Sequence, residues 1–89
     1  RILFACIWLL IAGPLWAAPV VLVFGDSLSA AYGLPREAGW VALLERRLAD
    51  RQPAWRTVNA SVSGETTAGG LARLPAVLDR HRPDIVILE

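Results

Sequence analysis

An uninterrupted apolar run, Val20-Val21-Leu22-Val23-Phe24, stops abruptly at Gly25. A strand with one wet face alternates apolar and polar side chains, whereas strands covered on both faces by helices read as continuous β-branched runs. The run is therefore predicted to be a strand buried on both faces of a parallel sheet. Parallel neighbours need long crossover connections, so the residues that follow should contain helices.

The remaining sequence alternates helical and strand patterns. Residues 37–51 carry apolar side chains at helical spacing, namely Trp40, Val41, Leu44 and Leu48. A second such series, which predicts a helix from Thr67 or Ala68 to Arg80, consists of Leu71, Leu74, Leu78 and His81. Pro75 should kink this second helix or mark its restart.

Two further strands are predicted. Residues 55–60 form a shorter, more polar run that suits a strand near the sheet edge, and residues 85–88 form a third buried strand. The order strand, helix, strand, helix, strand predicts an α/β fold, a three-layer flavodoxin-like parallel sheet of which the first βαβαβ half is present. Ligands of such sheets bind at the carboxyl ends of the strands.

The first eighteen residues differ from the rest. An apolar block follows Arg1, and Leu15-Trp16-Ala17-Ala18 offers small residues to a signal peptidase. We interpret residues 1–18 as an N-terminally incomplete signal peptide of a periplasmic or secreted protein, and residues 19–89 as the N-terminal half of a domain. The alternative is an uncleaved anchor, although the block is shorter than the roughly 20 residues that span a bilayer.

Charge and cysteine usage narrow the partners. Residues 19–89 hold eight arginines and eight acidic residues, a neutral balance that argues against nucleic acid or an anionic membrane as the main partner. The single cysteine, Cys6, lies in the predicted signal peptide, so the mature part has neither a disulfide nor a thiolate metal site. Because the chain starts without Met and ends directly after an apolar run, we expect a fragment.

The candidate catalytic residues follow two of the predicted strands. Gly25-Asp26-Ser27-Leu28-Ser29 follows the first strand, and the loop with Gly64 follows the second. A serine amide and a glycine amide that converge there would form an oxyanion hole. The residues alone leave this open, because Gly-x-Ser after a strand is often only a turn or cap. The spacing fits neither the nucleophile elbow, which needs glycine in place of Ser29, nor a phosphate-binding loop.

The complete strings are more specific. The run from Phe24 to Leu34, Phe-Gly-Asp-Ser-Leu-Ser-Ala-Ala-Tyr-Gly-Leu, closely resembles the first sequence block of the GDSL, or SGNH, hydrolases. Asn59 to Thr67, Asn-Ala-Ser-Val-Ser-Gly-Glu-Thr-Thr, resembles the second block, and residues 70–75 resemble the helix that follows it. The resemblance extends from Val20 to Glu89 and is closest to the thioesterase I, arylesterase and lysophospholipase branch.

The resemblance implies a serine hydrolase that acts on small acyl esters, acyl thioesters or lysophospholipids through an acyl-enzyme. Ser27 would be the nucleophile and an oxyanion donor through its amide, and Gly64 would donate the second amide. The family's third donor lies in a Gly-Gly-x-Asn-Asp block and its base in an Asp-x-x-His block, and neither block occurs in residues 1–89. No cofactor, no metal and no membrane span of the mature form are expected. The oligomeric state is open.

Two other functions remain open at this point. The first is a non-catalytic α/β ligand-binding domain in which the Ser27 turn binds an anion or a sugar hydroxyl. The second is an inactive, truncated remnant.

Several other residues have structural interpretations. Asp26 is predicted to fix the turn through backbone hydrogen bonds. His81 should lie at the opposite sheet edge from Ser27, near helix-end carbonyls, rather than in a dyad with Asp79. Packing roles are assigned to Trp40 and Trp55. Loop stabilisation and substrate contact are both open for Ser63, Glu65 and Thr66, as are an acyl path and simple packing for residues 30–34.

Overall fold

The computed structural model describes residues 18–89, so the predicted signal peptide, apart from Ala18, lies outside the described residues. Strands and helices alternate as predicted: β1 (Val20–Phe24), α1 (Trp40–Arg51), β2 (Arg56–Asn59), α2 (Thr67–His81) and β3 (Ile85–Leu88). A short 3₁₀ helix, Arg36–Ala38, precedes α1. Within residues 18–89, none of the helices has the length and hydropathy that crossing a bilayer requires.

The three strands form one parallel sheet in the order β2-β1-β3. Val23 of β1 is in register with Asn59 of β2 on one side and with Ile87 of β3 on the other. The connection through α1 leads from central β1 to β2, and the connection through α2 leads from β2 past β1 to β3, so the two run in opposite directions across the sheet. Right-handed crossovers in opposite directions place α1 and α2 on opposite faces of the sheet. The predicted α/β class is confirmed, and the carboxyl ends of all three strands meet at one edge.

Burial is concentrated in the central strand. Every residue of β1 is buried, with Leu22 and Val23 fully inaccessible, which confirms the interpretation of the opening apolar run. The prediction that β3 is also buried is wrong, because Ile85 is 48% exposed and Leu88 is 72% exposed. Among residues 18–89, β3 has a strand partner on the β1 side alone. It is an edge strand in this part of the chain, and its apolar side chains therefore stay partly exposed.

The first helix is shorter than the predicted 37–51. Glu37 belongs to the 3₁₀ helix, and α1 begins at Trp40. Gly39 between them is extended, with φ −71° and ψ 155°, and therefore interrupts the helical path. Its carbonyl still accepts the first bond of α1, from the Leu43 amide at 3.2 Å.

The second helix is continuous from Thr67 to His81, so the predicted restart at Pro75 does not occur. Proline leaves the carbonyl four residues earlier without its helical donor. That carbonyl belongs to Leu71, and both Leu71 and Pro75 are exposed, so water can replace the missing donor. Arg82 ends the helix in the left-handed conformation at φ 44°.

Candidate active site

The turn after β1, residues 25–33, is called the Ser27 turn and is held by its own backbone and by Asp26. The Leu28 amide donates to the Asp26 carboxylate at 3.0 Å, and the Ala30 amide donates to the Asp26 carbonyl at 2.9 Å. The Tyr32 amide donates to the Ser27 carbonyl at 3.1 Å. The predicted turn-fixing role of Asp26 is confirmed, and Ser27 itself is half-buried.

The turn is held by a polar cluster around Ser29, which is 1% exposed, whereas the three residues that bond to it are exposed. The Ser29 hydroxyl donates to a Glu89 carboxylate oxygen at 2.9 Å and accepts from the Trp40 indole at 3.1 Å. The Asn59 side-chain amide donates to the Ser29 carbonyl at 2.7 Å. The other Glu89 oxygen accepts a longer bond, 3.4 Å, from the Asp26 amide. Residues from α1, β2 and the end of β3 therefore all hold the Ser27 turn.

Sequence reasoning did not assign these roles. Trp40 was expected only to pack, and neither Asn59 nor Glu89 was singled out as a contact of the turn. A signal was nevertheless present, since Asn59 ends β2 and Glu89 directly follows β3. Polar residues at the carboxyl ends of neighbouring parallel strands converge on one edge of the sheet.

Gly25 is required by the closeness of this cluster. A Cβ at Gly25 would lie 2.9 Å from the Glu89 carboxylate and 3.0 Å from the Ser29 hydroxyl, both shorter than normal van der Waals contact. A residue with a Cβ here would therefore have to displace the exposed Glu89 side chain or the buried Ser29 hydroxyl.

The loop after β2, residues 60–66, is called the Gly64 loop. The Glu65 amide donates to the Val62 carbonyl at 3.1 Å and closes a turn with Ser63 and Gly64 at its centre. Gly64 has φ +84°, the value that a type II turn requires at its third position, and an added Cβ would meet nothing within 4 Å. The glycine is thus needed for backbone conformation, and the space above it is open.

Hydrogen bonds join this loop to the Ser27 turn. The Ala60 amide donates to the Val23 carbonyl at 2.8 Å, and the Val62 amide donates to the Gly25 carbonyl at 3.0 Å. The second bond connects the residue two before Gly64 with the residue two before Ser27. The predicted site residues therefore lie on adjacent segments at the same sheet edge. Within the described residues, neither the Ser27 amide nor the Gly64 amide donates a hydrogen bond.

The residues after Gly64 stabilise the loop and the start of α2. The Thr66 hydroxyl accepts from the Gly69 amide at 3.0 Å and caps the helix. Glu65 forms an ion pair with Arg73 of α2 at 2.8 Å. Of the two interpretations that the sequence left open for Glu65 and Thr66, loop stabilisation is therefore observed.

His81 lies far from this edge, as predicted. It borders a shallow cleft together with Trp55 and Arg56, at the amino end of β2. The dyad suggested by Asp79 and His81 also fails, because Asp79 lies 3.7 Å from the Arg82 guanidinium on the exposed end of α2. The only histidine in the sequence is thus excluded as a base for Ser27.

Two clefts flank the Ser27 turn. One, of about 330 Å³, lies between the end of β1, the end of β3 and α2, and it is bordered by Asp26, Glu65, Leu71 and Leu88. The other, of about 320 Å³, lies towards α1 and is bordered by Ala30, Ala31 and Leu34 together with polar residues. No group of three His, Cys, Asp or Glu side chains in residues 18–89 is arranged to hold a metal ion.

Comparison with known proteins identifies the family to which this fold and site belong. The GDSL-like lipase/acylhydrolase family matches residues 23–89, which is most of the chain. The chain belongs to this family. Among curated GDSL-like relatives, esterase TesA of Pseudomonas aeruginosa is 52% identical over 88 residues, which cover 99% of this chain and 44% of the relative. An arylesterase of Vibrio mimicus is 48% identical over 73 residues, covering 82% of this chain and 36% of the relative.

Solved structures of GDSL-like proteins share the fold. A crystal structure of TesA superimposes with a TM-score of 0.76 at 58% identity, covering 79% of this chain and 39% of that structure. The esterase EstA from Pseudoalteromonas, in a form inhibited by monoethylphosphonate, gives 0.72 at 47% identity, with coverages of 79% and 38%. The chain thus spans about two-fifths of the length of its curated relatives, and the matched part contains the Ser27 turn and the Gly64 loop.

Proposed function

We propose that the full-length protein that contains this chain hydrolyses small acyl esters or thioesters, with Ser27 as nucleophile. The observation that carries the proposal is the bond from the Val62 amide to the Gly25 carbonyl, because it fixes the Gly64 loop beside the Ser27 turn. The amides of Ser27 and Gly64 are the proposed oxyanion donors. Both are free of other bonds within residues 18–89, as donors for a developing charge must be.

The reaction proceeds in two steps. The Ser27 oxygen attacks the acyl carbon, the bond to the alcohol or thiol leaving group breaks, and the Ser27 proton passes through a base to that group. Water then attacks the serine ester and releases the acid with regeneration of Ser27. His81 lies at the wrong edge, so the base comes from outside residues 18–89, as the Asp-x-x-His block of the family implies.

Relatives support the reaction class. Their names include esterase, arylesterase and thioesterase 1/protease 1/lysophospholipase L1. Monoethylphosphonate, which inhibits EstA, carries tetrahedral phosphorus and so resembles the tetrahedral intermediate of acyl transfer. Acyl esters, acyl thioesters and lysophospholipids are accordingly the substrate classes that we propose.

The test is hydrolysis of p-nitrophenyl butyrate and of an acyl-CoA by the full-length protein and its Ser27→Ala variant. We expect kcat to fall by at least about 10³-fold in the variant, because loss of the nucleophile stops acyl-enzyme formation. Arg80→Met is the control, since Arg80 is exposed at the far end of α2. Undiminished hydrolysis by a folded Ser27→Ala variant would exclude Ser27. Inactivity of the unaltered protein would favour the ligand-binding or remnant alternatives.

We also propose that residues 1–18 are a signal peptide and that the domain 19–89 acts in the periplasm or outside the cell. The support is the apolar block followed by Ala17 and Ala18. Intact-mass measurement of the protein from the periplasmic fraction of a Gram-negative host tests this. A mature chain that begins near Ala18 or Pro19 is expected, and a membrane-bound, uncleaved chain would contradict it.

A further inference from the structure

A single side chain, Arg73, bonds to both ends of the Gly64 loop. Arg73 of α2 donates from Nε to the Glu65 carboxylate at 2.8 Å and from Nη2 to the Ala60 carbonyl at 2.8 Å. Ala60 opens the loop, and Glu65 directly follows Gly64. Ser63 and Gly64 between them are exposed, so this guanidinium spans the part of the loop that has the least packing of its own.

The same side chain also contacts the strand that leads to the nucleophile. The Arg73 guanidinium carbon lies 4.6 Å from the centre of the Phe24 ring, within the range of a cation–π interaction. Phe24 is the last residue of β1 and is 4% exposed, so packing in the sheet holds its ring in place. Arg73 thus connects the two ends of the Gly64 loop to the base of the Ser27 turn.

We propose that Arg73 is a positioning residue that sets the Gly64 amide relative to Ser27 during ester hydrolysis. This inference rests on the proposed function. Three contacts in three directions need a planar guanidinium, because Nε and Nη2 donate to different acceptors while the face of the group lies over an aromatic ring. A lysine has a single point charge and cannot make all three contacts.

Loss of the Arg73 contacts should lower the rate of ester hydrolysis more than it lowers the folding stability. The Arg73 side chain is 33% exposed and the Glu65 side chain is 15% exposed, so solvent screens their ion pair in part, and its loss should lower the unfolding temperature without unfolding the protein. The rate is more sensitive, since a misplacement of about 1 Å in a catalytic group costs up to about 10²-fold. Arg73 variants should therefore fold and bind substrate while they lose kcat.

The experiment measures kcat and KM for p-nitrophenyl butyrate, together with thermal unfolding, in the full-length protein and in Arg73→Met, Arg73→Lys and Arg80→Met. We expect Arg73→Met to lower kcat by about 10- to 100-fold with KM nearly unchanged, because the donor acts mainly in the transition state. Arg73→Lys should regain only a small part of the loss. Arg80→Met, on the exposed end of the same helix, should retain the kcat of the unaltered protein.

Two results would overturn the inference. One is a kcat of Arg73→Met within twofold of the unaltered protein. The other is a loss of kcat that disappears once the assay temperature is low enough for both proteins to be fully folded, which indicates a stability effect alone. If Arg73→Met does not fold, Glu65→Ala replaces it, since this variant removes the acceptor of the Arg73 Nε bond and so releases the end of the loop beside Gly64. An unchanged kcat in Glu65→Ala then counts against the inference.

The Ser27→Ala variant is measured in the same assay. Activity in that variant would refute the proposed function and the Arg73 inference together. An inactive Ser27→Ala beside a fully active Arg73→Met would refute the Arg73 inference alone.

Discussion

The Ser27 turn and the Gly64 loop leave the same sheet edge, but they are held in different ways. The Ser27 turn is held by a polar cluster in which the buried Ser29 bonds to the exposed residues Trp40, Asn59 and Glu89. The Gly64 loop is exposed at its tip and depends on one partly exposed arginine and on backbone bonds to β1. The comparison indicates that several side chains hold the turn of the proposed nucleophile, while one arginine side chain and backbone bonds hold the loop of the proposed second oxyanion donor.

After Ser27→Ala, the largest expected effect comes from Gly64→Ala. Its φ of +84° disfavours any L side chain, so the loop should reorganise and the Gly64 amide should move. Loss of an oxyanion donor lowers kcat by about 10²- to 10³-fold, and this is the drop we expect.

Gly33→Ala is the matched control for that prediction. Gly33 also has positive φ, +76°, and an added Cβ there also meets nothing within 4 Å, so the backbone cost should be the same. Gly33 lies at the far end of the Ser27 turn and should change kcat much less. Equal loss of kcat in the two variants would show that backbone strain, and not the position of the amide, lowers the rate.

The next effect is on stability. Ser29→Ala removes a hydroxyl that is both donor and acceptor, and it leaves the Trp40 indole and the Glu89 carboxylate without that partner. Both partners are exposed and can bond to water instead, so the free energy of unfolding should fall by about 1–2 kcal/mol, the net value of two hydrogen bonds. Chemical denaturation checks the value, with the exposed Ser63→Ala as control. A change equal to that of Ser63→Ala would mean that the cluster does not hold the turn.

A smaller loss is expected for Trp40→Phe. Phenylalanine keeps an aromatic ring at this position, but the indole N–H that donates to Ser29 at 3.1 Å is gone. Ser29 keeps its bond to Glu89, and Trp40 is 36% exposed, so we expect a loss of about 1 kcal/mol, the usual net value of one hydrogen bond. Denaturant unfolding of the two proteins measures it. A loss larger than that of Ser29→Ala would assign the stabilisation to ring packing instead.

The smallest effect is expected for Ala31→Gly. Ala31 has φ +60°, a left-handed conformation that costs an L residue about 1–2 kcal/mol. Glycine removes that strain but loses about 0.4–1 kcal/mol through the greater freedom of the unfolded chain. A gain in stability between about 0 and about 1.6 kcal/mol, centred on ~0.8 kcal/mol, should follow and is measurable by thermal unfolding. A clear destabilisation would show that the Ala31 methyl packs in a way that outweighs its strain.

Much of the fold follows from local pattern. The continuous apolar run of β1 and the helical spacing in α1 and α2 predict element order, because each reflects how many faces the element buries. The boundary at Trp40 depends on the backbone of Gly39, and the exposure of β3 depends on what covers it, so neither can be read from periodicity.

For the site, Ser27 and Gly64 are found only through the resemblance of two complete sequence blocks, since Gly-x-Ser alone is too common. The contacts of Glu89 with Ser29 and Asp26 join residues about 60 positions apart, and they are set by strand register rather than by any local signal. The contacts of Arg73 also have no local signal in the sequence, because its three partners lie in β1 and in the Gly64 loop.

The most direct test of the central claim is covalent labelling of the full-length protein by an alkyl p-nitrophenyl phosphonate, followed by peptide mass spectrometry. An activated serine attacks phosphorus and releases p-nitrophenolate, which leaves a stable phosphonyl ester on that residue. We predict one adduct per chain, on Ser27, and its absence in Ser27→Ala. A label on another residue, or no label in a folded protein, would contradict the assignment of Ser27 as the nucleophile.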